Sequence, residues 1–123
     1  MFAEKFLLLT SKYPQNADAL ARIASYFEDM ERRQGERLFA LKLEPERLFD
    51  ISGAGSLSRL SSVIAQLITE KILKRQLIVR VGHGSGVSYS SIDEIPNFIR
   101  DPDLDIEVEV TPDKIKTIYV PVK

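Results

Sequence analysis

The chain contains no cysteine and one histidine, His83. The first absence excludes disulfide scaffolds, thiolate zinc sites and cysteine nucleophiles together. The second leaves no imidazole cluster, so no metal or cofactor is expected. No apolar run approaches the ~20 residues that a membrane helix requires. The short apolar patch at residues 6–9 lacks the h-region and cleavage pattern of a signal peptide. An excess of charge is also missing: the formal net charge is −1 and the sequence pI is near 5.9. That balance argues against a protein that coats nucleic acid nonspecifically. Repeats, low-complexity tracts and long linkers are absent. The expectation is a single cytoplasmic domain, residues 1–123, without a membrane segment.

What is present suffices for a folded core. The 123 residues are 44% hydrophobic and 28% charged, within the ordinary range of one globular domain. The charge is unevenly placed. Residues 1–52 carry a net −1, residues 53–91 a net +4 and residues 92–123 a net −4. The middle third is therefore suited to an anion and the last third to something else.

Residues 2–11 read as a short helix, stopped at Tyr13-Pro14 because the residue before proline avoids the helical region. Asn16 is a fair N-cap for a second helix. That helix repeats Ala17, Leu20, Ala21, Ile23, Ala24 and Phe27 at helical spacing and stops at Gly35. Residues 37–43 alternate as a strand with Phe39, Leu41 and Leu43 inward. Pro45 opens a short helix to Ile51, and Gly53-Ala54-Gly55 breaks it. Ser56 then caps a long helix to about Leu73, with Leu57, Leu60, Ile64, Leu67, Ile68 and Ile72 on one stripe. Residues 76–81 and 87–91 form a predicted hairpin with a glycine-rich tip. Residues 92–99 read as a short helix or turn. Residues 105–110 alternate strictly, with an acidic outer face. Across the turn at 111–114 they are expected to pair with residues 115–120, placing Glu109 opposite Lys116.

The order in residues 16–91 (helix, strand, short helix, turn, long helix, strand, glycine-rich tip, strand) resembles the winged helix-turn-helix superfamily. The likeness is carried by the GAGS turn at 53–56 and the run SLSRLSSVIAQLITEKILKRQLIVRVGHGSGVSYS. Within it, VIAQLITEKILKRQLIVRV looks like a recognition helix passing into the first wing strand. Where a glycine is expected before that strand, the chain has Glu70-Lys71-Ile72. The resemblance implies an α+β fold with a winged-helix core at 16–91. A helix at 1–15 precedes that core, and an acidic helix and β-hairpin at 92–123 follow it. It also implies duplex DNA binding in a regulatory role. The flanking elements are expected to form a homodimer, since two half-sites compensate for a weakly charged single module.

The residues expected to carry such binding are Ser58, Arg59, Ser62 and Gln66, which with Thr69 lie opposite the apolar stripe, and Ser56 at the start of the helix. Arg59, Ser62 and Gln66 fall at i, i+3 and i+7 on one side of the helix. Arginine can bond guanine bidentately and glutamine adenine, each worth ~1–3 kcal/mol of discrimination. Ser56 and the first-turn amides suit a phosphate. Lys74, Arg75, Arg80 and His83 frame the wing and suit further phosphates. Lys71, Lys74 and Arg75 also complement the dipole at a helix end, which leaves Arg80 unaccounted for.

Other chemistry is poorly supported. Gly82, Gly84 and Gly86 lack phosphate-loop spacing and precede a strand. His83 and Ser85 have no carboxylate placed to orient an imidazole, so no catalytic activity is expected. Asp101, Asp103, Asp105, Glu107 and Glu109 lack the glycine and terminal glutamate of an EF-hand loop. They read as a solvated face that discourages edge aggregation, or as a surface that docks a basic protein. The alternative to DNA binding is a winged-helix protein-interaction module, favoured by the acidic pI and the single arginine on the long helix.

Overall fold

The computed structural model describes residues 2–80, 86–101 and 103–123. His83, Ser85 and the expected wing tip at 82–85 lie outside them. The described residues form a mixed α+β fold. Its helices are α1 (Phe2–Lys12), α2 (Ala17–Gln34), α3 (Pro45–Ser52) and α4 (Leu57–Thr69). Its strands are β1 (Leu73–Val79), β2 (Val87–Tyr89), β3 (Phe98–Asp101), β4 (Ile106–Glu109) and β5 (Ile115–Pro121). One sheet has the order β2-β1-β5, and β3 pairs with β4 in a second. Contacts divide the chain into two compact units, Met1–Lys74 with Tyr119–Lys123, and Arg75–Ile118.

In the first unit each helix starts and stops where local chemistry requires. Pro45 occupies the first turn of α3, where a missing N–H costs nothing. Gly53 ends that helix at φ 62°, a left-handed conformation disfavoured by a Cβ. The Ser56 Oγ accepts the Arg59 amide at 3.2 Å and caps α4. The core gathers Phe6 and Leu9 of α1, Leu20, Ile23 and Phe27 of α2, Leu48 of α3, and Leu60, Val63 and Leu67 of α4. Phe6 meets Phe27 edge to face, ring centroids 5.7 Å apart, the arrangement favoured by aromatic quadrupoles. Leu43 and Tyr119 exchange two 2.8 Å backbone bonds. The Val122 amide donates to the Ile72 carbonyl at 2.8 Å.

In the second unit β1 and β2 form an antiparallel hairpin with Leu77, Ile78 and Val79 opposite Tyr89, Ser88 and Val87. β3 and β4 are also antiparallel, with Phe98, Ile99, Arg100 and Asp101 opposite Glu109, Val108, Glu107 and Ile106. Their connecting turn is held by buried Asp101, whose Oδ1 accepts the amides of Asp103 at 2.8 Å and Leu104 at 3.3 Å.

Four expectations are corrected. Residues 37–43 do not form a strand. Gly35–Ala40 is a 3-10 helix that buries Leu38, leaving Phe39 and Leu41 partly buried, and only Leu43 bridges to Tyr119. The long helix ends at Thr69 rather than near Leu73. Lys71 takes a positive φ of 59°, and the chain turns into β1 three residues before the expected strand start. The short helix or turn expected at 92–99 is present as the 3-10 turn Ile92–Glu94, but residues 98 and 99 belong to β3. The acidic strand does not pair with residues 115–120. Glu109 sits opposite Phe98 rather than Lys116, because β4 pairs with β3 and β5 belongs to the other sheet. Burial accounts for the exchange. β5 carries buried Ile118, Val120 and Pro121 and pairs with the edge of β1, whereas β4 has no buried residue.

Candidate functional site

The polar face of α4 was expected to be free, and most of it is engaged within the first unit. Asn16 is the last residue of the 3-10 turn Pro14–Asn16 that carries the chain into α2. Its backbone occupies the N-cap position, but its side chain makes no capping bond. Instead that side chain is buried against α4. Nδ2 donates to Ser62 Oγ at 3.2 Å and to Gln66 Oε1 at 3.1 Å. Oδ1 accepts Arg59 Nε at 3.2 Å. All three hydrogen-bonding sites of the amide oxygen and nitrogen used here face one helix, so the buried group is compensated.

Arg59 is the centre of charge in this cluster. Its Nη2 donates to the Gln15 carbonyl at 3.2 Å and to Asp18 Oδ1. The Arg59 hydrogen bond holds the Asp18 carboxyl below the usual aspartate range. Gln66 Nε2 returns to Ser62 Oγ at 3.3 Å. The three residues proposed to read bases therefore come together, as one intramolecular network. Ser56 is used as the helix cap. Ser58 is exposed on the first turn of α4.

A second charged contact lies at the far end of α4. Lys12 Nζ sits 2.6 Å from Glu70 Oε1, and Tyr13 Oη donates to the same oxygen at 3.3 Å. The hydrogen bond with Lys12 lowers the Glu70 pKa, and the same bond raises that of Lys12.

The remaining cations of the middle third are distributed between the two units. Lys74 is exposed at the end of the first unit, and Arg75 and Arg80 are exposed in the second. None of the three side chains has a hydrogen-bonding or ionic partner among the described residues.

The acidic hairpin is the other candidate surface. Pairing places Phe98, Arg100, Glu107 and Glu109 on one face of the β3–β4 ribbon. Phe98 is 57% exposed. Arg100 bonds Asp105, with Nε to Oδ1 at 2.9 Å, so the hairpin's one cation is neutralised. Glu107 and Glu109 are exposed, and their side chains have no partner among the described residues. Sequence reasoning found the carboxylates but missed Phe98, which it assigned to a helical turn. It also missed the role of Asn16, because asparagine before a helix reads first as a cap.

Among the described residues no group of three or more acidic or imidazole side chains is placed to hold a metal ion. Among them, no helix is long and apolar enough to cross a membrane. No protein-family model, curated protein or solved structure matches the chain.

Proposed function

We propose that the chain is a winged-helix module that binds another protein rather than duplex DNA. The element order supports the winged-helix part. α3, the 53–56 turn and α4 stand for the helix-turn-helix pair, and the β1–β2 hairpin stands for the wing. The observation that carries the choice of partner is the engagement of Arg59, Ser62 and Gln66 by Asn16. A base-reading helix needs its polar side chains free to meet base edges. Here the one arginine of α4 already has a carboxylate, an amide oxygen and a backbone carbonyl. Releasing it toward guanine would strand the buried Asn16.

The β3–β4 ribbon offers what α4 does not. An exposed phenylalanine flanked by two free carboxylates is complementary to a basic segment with an apolar side chain, and the aromatic face also attracts a cation. The test pairs two measurements. A labelled duplex is titrated across a salt series, and the protein is used for affinity enrichment from its native cell extract beside a Phe98→Ala, Glu107→Ala, Glu109→Ala variant. The expected result is no saturable duplex binding, and a defined protein that the variant fails to retain. Duplex binding that weakens steeply with salt and is lost with Lys74→Ala, Arg75→Ala and Arg80→Ala would instead establish DNA as the ligand.

A further inference from the structure

The first unit contains an apolar groove between α3 and α4 with a volume of about 350 Å³. Pro45, Phe49 and Leu60 line it, and Leu57 stands at its edge, 75% exposed. Glu46 and Asp50, both exposed, also line it, one helical turn apart on α3. Neither carboxylate has a partner among the described residues. Arg47, between them in sequence, is turned to the Tyr26 ring, its guanidinium carbon 5.6 Å from the centroid. The groove is thus lined by four apolar side chains and two carboxylates.

The same unit carries a complementary projection. On α1, Phe6 and Leu9 face the core, while Leu7 and Leu8 are 71% and 74% exposed. Two adjacent leucines left in water on an 11-residue helix are more apolar surface than its packing explains. Lys5 and Lys12 lie three residues before and four after Leu8, so all three share one side of the helix. Lys5 has no partner among the described residues, and Lys12 reaches Glu70 from the end of the helix.

We infer that α1 of one copy of this chain docks in the α3–α4 groove of a second copy. Leu8 is the anchor over Phe49 and Leu57, and Lys5 meets the Glu46 and Asp50 carboxylates. Charge complementarity selects this occupant: a leucine pair with a lysine meets a groove with two carboxylates, and none of the three charges has a partner among the described residues. Reciprocal contacts give a closed two-fold dimer, in which each copy contributes one helix and one groove and the buried area is doubled. The inference is independent of the β3–β4 surface proposed above and uses no residue of it.

The experiment is sedimentation velocity of the full chain over a wide concentration range. The expected species has twice the 13.9 kDa monomer mass. Leu8→Glu and Leu57→Glu each change an exposed position, and circular dichroism verifies that both variants fold. Each is expected to weaken the dimer at least about tenfold, as loss of an apolar anchor does. Lys5→Glu is expected to weaken it as well, and adding Glu46→Lys and Asp50→Lys to restore it. A chain that stays monomeric at millimolar concentration overturns the inference. So does a dimer indifferent to both leucine variants, or one that the charge reversal fails to restore.

Discussion

A single amide side chain, Asn16, determines what α4 is able to present. It is 6% exposed and links the start of α2 to Arg59, Ser62 and Gln66. Asn16→Ala removes all three bonds at once and leaves the Arg59 guanidinium short of an acceptor. The expected cost is about 1–3 kcal/mol, read as a lower urea midpoint at unchanged m-value. The same variant releases Arg59, Ser62 and Gln66 from Asn16 alone: Arg59 keeps Asp18 and the Gln15 carbonyl, and Gln66 keeps Ser62. Asp18 contributes through the same network in a pH-dependent way. Its folded pKa lies below the ordinary value near 4. A depressed carboxylate contributes stability that is complete above its unfolded pKa and is lost as pH falls through the folded one. The stability gap between wild type and Asp18→Asn is therefore expected to be full at neutral pH and to close below about pH 4. A gap that persists unchanged at pH 2.5 would show that the carboxylate charge is not what Arg59 requires.

The helices were the most legible elements in the sequence, for a physical reason. Their signals are local: Pro45 and Gly53 bound α3, Ser56 starts α4, and the apolar spacing of α2 and α4 points to the buried faces. Ser56→Ala is expected to cost about 1 kcal/mol through loss of the bond to the Arg59 amide. Ser58→Ala, at an exposed position two residues later, is expected to change stability little. Thermal midpoints of the two variants make the comparison, and equal effects would remove the cap from the account. Residues 37–43 were not legible, because alternation there competes with a helical turn. Leu38 buried from a 3-10 turn and Leu43 buried from a single bridge satisfy the same apolar pattern without a strand. Leu57 and Ile68 were misplaced for a related reason. Both obey the helical period of α4, yet they flank the buried arc, while Val63 lies inside it. The polar face of α4 was correctly located, but its engagement depends on Asn16, more than forty residues away, and no local pattern encodes that.

At the scale of the whole molecule, strand pairing is what the sequence concealed. Residues 105–110 and 115–120 are adjacent, oppositely patterned and joined by a proline turn, so a hairpin is the economical expectation. The choice falls to burial instead: the more apolar β5 takes the edge of β1, and the acidic β4 is left to β3. The consequence is an uneven distribution of apolar packing between the two units. The first holds the cluster built on Phe27, Leu48 and Leu67. In the second, β3 and β4 together bury only Asp101, while Phe98, Leu104 and Ile106 remain more than half exposed. Local opening is governed by how much buried apolar contact must be given up. Amides of β3 and β4 are therefore expected to exchange far faster than those of Leu20, Ile23 and Leu67, at native pH and without denaturant. Hydrogen exchange followed by mass spectrometry or NMR resolves the two sets directly. Equal protection would mean that the hairpin opens only with the whole chain, and that the ribbon is as stable as the helical core. Fast exchange confined to β3 and β4 would show that this acidic ribbon opens locally while the helical core stays closed.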